Sequence, residues 1–312
     1  MLLLGADTVR QHLSFDELLD ELSVGFVELS SGVADAPPPA IATSEAGEFL
    51  MALPAITTGT VAAKLISVFH ENAARGVPSH QGVVVLFDSV TGSPLALMDA
   101  RHITAIRTAA TTALATRMLL PGRATTLAII GAGVQGNSHL AALTAVADFE
   151  EIRVAARNHE SAETLAAGHP QARAVEGVEA AVRGADVICL CTSSMTPVIE
   201  RDWVRTGAHV NSVGFSSGPE VDAATMDEAR IFVESRGRSF RAPPLGAHEL
   251  VGRRAGDAVE LGEVLAGTAP GRLAPEQITV FKSAGNAIGD AAAAAVIYRN
   301  AVASGAGTRW SP

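Results

Sequence analysis

The chain has 312 residues, 48% of them hydrophobic and 18% charged, which is enough apolar material for two cores. A net charge of −10 sets it against nucleic acid and anionic membrane surfaces as partners, and no basic stripe interrupts that balance. The apolar start Met1-Leu-Leu-Leu-Gly5 is too short for a signal-peptide core and lacks a basic flank, and no run approaches the roughly 20 residues that span a bilayer, so the expected location is the cytoplasm.

In chain order, Ser14 and Glu17 have capping-box spacing, and Leu18, Leu22, Phe26 and Leu29 recur at helical intervals before Gly32, so a helix begins here. Ala36-Pro-Pro-Pro39 is a stiff connector. Residues 49–56, 61–69 and 82–88 read as strands, and turn residues 88–94 join the last of them to Leu95-Ala-Leu-Met98 as a hairpin. Residues 103–120 have few breakers and form a helix that ends at Pro121-Gly122, where the composition shifts and a second domain is expected.

That second domain opens on Thr126-Leu-Ala-Ile-Ile-Gly-Ala-Gly-Val-Gln-Gly136, an apolar strand followed by a glycine turn and a helix. Gly131 allows a sharp turn, Gly133 lets the backbone approach a pyrophosphate, and Gly136 lets the helix pack on its strand. The helix start, with Val134 and Gln135, points unpaired N–H groups at the phosphates. A lone glycine fingerprint is weak, but Glu151-Ile-Arg-Val-Ala155 supplies the next strand. Strands at 187–191, 209–213 and 231–234 then alternate with helices at 162–167 and 178–183, the pattern of a parallel sheet. Cys189 and Cys191, the only cysteines, alternate along an apolar strand and read as buried reduced thiols; no other soft ligands cluster nearby in sequence, so no metal site is expected. Residues 237–256 are loop-rich and basic, without an assigned role. Strand 278–282 and an alanine-rich helix over 287–303 close the chain, the helix leaving the second domain to pack on the first or on a second subunit.

Individual residues carry chemistry. Arg107 offers fork geometry to a carboxylate from a helix otherwise lined by Ala, Thr and Ile. Lys64 lies within an apolar strand, where an unpaired ammonium is costly, so it must face a polar cavity or an anion. His80 is a candidate donor, though a loop histidine is more often structural. After the strand 152–156 come Arg157 and Asn158 and no acid, a pattern that suits the 2′-phosphate of NADP better than the ribose hydroxyls of NAD.

Taken together, Lys64 in Ala-Ala-Lys-Leu-Ile-Ser-Val-Phe, Pro78-Ser-His-Gln-Gly82, Ile103-Thr-Ala-Ile-Arg-Thr-Ala-Ala110, Gly131-Ala-Gly-Val-Gln135, His209-Val-Asn-Ser-Val-Gly214 and Phe281-Lys-Ser-Ala-Gly-Asn286 resemble the ornithine cyclodeaminase/mu-crystallin family over nearly the whole chain. The resemblance implies an α/β protein. A substrate-binding and dimerisation domain of α+β type spans residues 1–120, rejoined by the helix 286–312, and a Rossmann-type dinucleotide-binding domain spans residues 121–285. It also implies a homodimer whose interface combines the first domain with the last helix, and an amino or imino acid held in a cleft between the domains. Arg107 and Lys64 match the family's substrate arginine and active-site lysine. Thr192, Val213 and Lys282 join the glycine turn, Arg157 and Asn158 as expected cofactor contacts.

The departures decide the reaction. Where the cyclodeaminases carry an aspartate after the strand that ends in Val-Gly, this chain has Ser216, as mu-crystallin-like ketimine reductases do. Where they carry a glutamate two residues ahead of a methionine and then a proline, it reads Met51-Ala-Leu-Pro54, and an arginine usual after the first prolines is replaced at Pro39 or Ala40. The reading is therefore an NADPH-dependent imine or ketimine reductase for a small cyclic imino acid, with Lys64, Arg107 and Ser216 as the catalytic set. Met51, Leu53, Phe69, His70, His80 and Phe215 shape the pocket. An amino acid dehydrogenase, a cyclodeaminase and an NADPH-dependent small-molecule binding protein stand as alternatives.

Overall fold

In the computed structural model, which describes residues 1–120, 122–214 and 218–311 with the side chains of His70 and Ala73 left aside, the chain divides into two compact units. Met1–Arg107 with Asn286–Pro312 forms one, and Thr108–Gly285 the other. Strand β1 (Leu2–Leu4) and helices α1 (Ala6–His12) and α2 (Phe15–Ser30) come first. Strands β2 (Ala40–Thr43), β3 (Phe49–Ile56), β4 (Val61–Val68), β5 (His80–Phe87) and β6 (Pro94–Asp99) follow, and α3 (Ala100–Leu119) carries the chain out of the first unit.

The second unit contains β7 (Thr126–Ile130), α4 (Val134–Val146), β8 (Glu151–Ala155), α5 (His159–Ala166), β9 (Ala172–Ala174), α6 (Val178–Val182), β10 (Val187–Leu190) and β11 (His209–Ser212). It continues through α7 (Ala223–Glu228), β12 (Arg230–Val233), α8 (Arg236–Ser239), β13 (Ala258–Glu260), α9 (Leu261–Leu265) and β14 (Thr279–Lys282). Helix α10 (Ala287–Ser304) and strand β15 (Thr308–Arg309) return to the first unit.

The division falls inside α3, between Arg107 and Thr108, rather than near residue 121 as the composition shift suggests. The reason lies in the second half of that helix. Thr112 Oγ1 meets His139 of α4 at 3.1 Å, and Thr116 Oγ1 accepts from Asn211 of β11 at 2.9 Å, so residues beyond Arg107 are built into the core of the second unit.

The first unit is a seven-stranded sheet in the order β15-β1-β6-β5-β4-β3-β2, antiparallel except where β1 runs parallel to β6. Strand β1 is absent from the sequence reading because three residues show no period; its pairing with β6 and β15 makes it a strand. Register places Leu53, Lys64 and Val84 side by side on one face, and helices α2 and α10 pack in this unit. Ser14 caps α2 by accepting from Glu17 N at 3.5 Å, and Leu18, Leu22 and Phe26 form its buried stripe. Arg299 of α10 reaches Glu17 and Glu21 of α2 at 2.8 Å each.

The second unit is an eight-stranded, wholly parallel sheet in the order β13-β12-β14-β11-β10-β7-β8-β9. Apolar clusters built on Ile130, Ile188 and Val210 and on Leu127, Ile129 and Leu143 lie against the sheet. Order reverses at β7, the switch point at which doubly wound sheets bind their ligands beyond the strand C-termini. Among the described residues, no helix is long and apolar enough to cross a membrane.

Candidate active site

In the first unit the apolar strand β4 carries Lys64, 1% exposed, on the face it shares with Leu53 and Met51 of β3. A buried ammonium needs an anion, and α10 supplies one. Asp290 lies with both carboxylate oxygens 2.8 Å from Lys64 Nζ, and its Oδ1 also accepts from Arg107 Nε at 3.0 Å. Thr104, one turn before Arg107 on α3, accepts from Lys64 at 3.4 Å. Lys64, Arg107 and Asp290 are the charged residues among the described ones buried in this unit, and both cations meet the Asp290 carboxylate.

Asp290 went unassigned in the sequence reading. The signal was there: one acid within Ala287-Ile-Gly-Asp-Ala-Ala-Ala-Ala-Ala295, a stretch too apolar to bury it without a cation. His80 begins β5 opposite Val68, on the Lys64 face but exposed, with Nδ1 3.1 Å from Ser79 Oγ. Phe69 is 39% exposed, and Met51 is half-buried. Phe215 and Ser216 lie outside the described residues, as does the side chain of His70.

The second unit carries the glycine turn. Gly131 has φ +108, and a Cβ there would sit 2.4 Å from the Cys191 carbonyl oxygen; on Gly136 it would sit 2.0 Å from the Gly131 carbonyl oxygen. Any side chain at either position collides with fixed backbone. Gly133, by contrast, has open space where its Cβ would be, and it stands at the start of α4 with no side chain capping the helix. Val134 is exposed, Gln135 Oε1 is buried with no hydrogen-bond partner, and both stand in the first turn of the uncapped helix, beside a turn cleared of side chains. That geometry fits a dinucleotide pyrophosphate. At the end of β8, Asn158 is spent capping α5 through Ser161 N at 3.2 Å, while Arg157 is exposed and pairs with no carboxylate among the described residues.

Behind the turn, two buried acids lock the strand ends. Glu220 Oε1 accepts from both the amide and the hydroxyl of Thr192 at 2.7 Å, and its Oε2 accepts from Gly214 N at 2.7 Å. Glu249 Oε1 accepts from Glu220 N at 2.8 Å and from Lys282 Nζ at 3.1 Å. Burial raises the Glu220 carboxyl above the usual range, and the Lys282 charge works against that rise. Lys282 is wholly buried, its ammonium on Ser212 Oγ, the Gly214 carbonyl and Glu249. Through these contacts it joins the ends of β11 and β14. Residues 237–256 acquire a role here, since they deliver Glu249 to Lys282. Val213, 9% exposed, donates its amide to Leu190 O within the same platform.

A doubly wound parallel sheet with a cleared glycine turn, joined in one chain to an α+β unit holding a buried Lys-Asp-Arg cluster, defines the class of a dinucleotide-binding protein. The sequence profile of the ornithine cyclodeaminase/mu-crystallin family matches residues 1–305, and the chain belongs to that family. Ketimine reductase mu-crystallin of Rattus norvegicus is 36% identical over 305 residues, covering 95% of this chain and 96% of its own. Among solved structures, Delta(1)-pyrroline-2-carboxylate reductase of Thermococcus litoralis, in complex with NADH and L-proline, superposes with a TM-score of 0.91 at 31% identity, covering 99% of this chain and 100% of its own. An archaeal alanine dehydrogenase dimer with bound NAD also gives a TM-score of 0.91, at 29% identity over 100% of this chain and 99% of its own.

Proposed function

We propose that this protein is an NAD(P)H-dependent reductase that adds hydride to the C=N bond of a small cyclic imino acid, a pyrroline or piperideine carboxylate. The carrying observation is the buried cluster in which Lys64 and Arg107 converge on Asp290. An ammonium and a guanidinium gathered at one point are the donor types that recognise a substrate carboxylate. Arg107 takes the carboxylate as a fork, Lys64 stands at the carboxylate or the adjacent unsaturated carbon, and Asp290 keeps both cations in register. A nicotinamide, when bound, supplies the hydride. The cyclic imine carries its own proton on nitrogen, which accepts the C=N electron pair as the hydride reaches carbon, so the site needs no strong base. The carboxylate of Asp290 is already engaged by two cations, and the sequence places Ser216 where a base would stand.

Support comes from the ketimine and pyrroline-carboxylate reductases among the relatives. A second reading, amino acid dehydrogenase, is favoured by the fit to the alanine dehydrogenase. Assay of NADPH oxidation with cyclic imines, and with pyruvate plus ammonia, separates the two: the first proposal requires turnover of the imines and loses its ground if only the oxo acid with ammonia reacts.

We further propose NADPH as the favoured cofactor, on Arg157 and the missing acid after β8, and a reducing cytoplasmic setting, which the free thiols fit. A homodimer is supported by the sheet of the first unit, whose face opposite Lys64 leaves Leu50, Ile56, Leu65 and Phe69 exposed. A groove of about 440 Å³ crosses it, lined by Leu50, Leu65, Val83 and Arg101 among others. Helix α10 spends its apolar residues inside its own unit, so the sheet face carries this proposal. Leu65→Asp is expected to yield a monomer by sedimentation; a dimer undiminished in that variant places the interface elsewhere.

A further inference from the structure

Residues two apart in a strand point the same way, and Cys189 and Cys191, at the end of β10, bring their sulfurs to 3.6 Å. Helix α4 adds a third soft donor. His139 is fully buried, and its ligand nitrogen and the two sulfurs all lie within 4.8 Å of one another. Its Nδ1 sits 2.8 Å from the Gln135 carbonyl oxygen, which can only accept, so in the neutral ring Nδ1 carries the proton and the Nε2 lone pair accepts from Thr112 Oγ1 at 3.1 Å, a contact that a metal ion would displace. A carbonyl holding the far nitrogen is how metal-binding histidines are oriented.

We propose that His139, Cys189 and Cys191 form a binding site for a thiophilic d10 cation, zinc(II) in the first instance, beneath the glycine turn. Two thiolate bonds of about 2.3 Å to one zinc at the tetrahedral angle set the sulfurs about 3.8 Å apart, close to the spacing already present. The sequence gives no hint of this site, since His139 lies far upstream of the cysteines. Three protein donors leave the fourth position of a tetrahedral zinc to a water. Binding converts two thiols to thiolates and releases two protons for each zinc bound. The ion would tie α4 to Cys191, whose amide donates to Ile130 O at 2.8 Å and whose carbonyl abuts Gly131, so it braces the cofactor turn from below.

The test uses the full chain, reduced and stripped with a chelator, titrated with cadmium(II) alone and then with zinc(II) alone. Expected are one equivalent of cadmium with a thiolate-to-metal charge-transfer band, displacement of that band by zinc, and a zinc-dependent rise in Tm. Cys189→Ser and Cys191→Ser, each checked by circular dichroism to be folded, lose the band and the rise. Cadmium binding without the band, or a band that survives in both serine variants, overturns the proposal.

Discussion

Lys64 and Asp290 meet at 2.8 Å inside the first unit although 226 positions separate them in sequence. The contact joins the middle of β4 to the first turns of α10, and Arg107 completes it from α3. Replacing Asp290 by Asn removes the carboxylate that both buried cations engage. Breaking a buried pair in this way costs about 3–5 kcal/mol, so Asp290→Asn is expected to lower the urea midpoint sharply. An unchanged midpoint would mean that the carboxylate does not hold this cluster.

Arg107→Lys keeps the charge and removes the fork. A point charge cannot reproduce bidentate recognition, so kcat/KM is expected to fall about 100-fold, near 2.7 kcal/mol, with the Kd for NADPH unchanged. Steady-state kinetics beside fluorescence titration of the cofactor check both halves. Near-wild-type kcat/KM would remove Arg107 from the substrate site.

The proposed preference for NADPH rests on Arg157, exposed at the end of β8. NADPH is expected to be favoured over NADH by about tenfold, or about 1.4 kcal/mol, and Arg157→Ala to erase most of that margin. Equal kcat/KM with the two cofactors in the unmodified protein would refute the assignment; the solved relatives described above hold NADH or NAD, so the comparison is pointed.

Much of this architecture is legible in sequence because its signals are local. The glycine turn, the Ser14 cap and strand β3 depend on neighbours in the chain, and the structure places α2 and β3 where the pattern does. The doubly wound sheet follows from alternation along the chain. Three-residue strands such as β1, β9 and β13 carry too few side chains for a period and form because a partner strand is present. The candidate site is half legible. Lys64 and Arg107 stand out as charges in apolar company, but Asp290, Glu220 and Glu249 act through contacts that only the tertiary fold creates. The contacts of Lys282 with Glu249 and the Gly214 carbonyl are likewise tertiary and leave no mark in the sequence.

His209 provides a pH prediction. Burial, with the Arg272 charge behind it, pushes its imidazole down to about 3, between Thr279 Oγ1 at 2.8 Å and Asn211 Oδ1 at 3.1 Å. Between its ordinary value of 6.5 and about 3 the unfolded chain therefore binds a proton that the folded chain refuses. Stability falls as pH drops through that window, by up to about 1.4 kcal/mol per pH unit from this group. Urea midpoints measured from pH 7 to pH 4.5 should decline, and His209→Gln should flatten the decline. A slope unaltered by the substitution would assign it to other groups.

The sequence has Ser216 where the cyclodeaminases carry an acid, and the proposed reduction asks no proton transfer of it. Loss of a true acid or base costs about 100-fold or more, so Ser216→Ala is expected to stay well inside that loss in imine reduction. A larger fall in kcat would make Ser216 a proton-transfer residue.

The most direct test compares three reactions of the unmodified protein at pH 7: reduction of cyclic imino acids with NADPH, oxidation of the corresponding cyclic amino acids with NADP, and release of ammonia from L-ornithine. Imine reduction is expected to exceed both others in kcat/KM, because the proposed reading has Lys64 and Arg107 take the carboxylate, and the sequence has Ser216 where the cyclodeaminases carry an acid. Efficient conversion of ornithine to proline with ammonia release, and no net change in cofactor, would contradict the account and restore a cyclodeaminase.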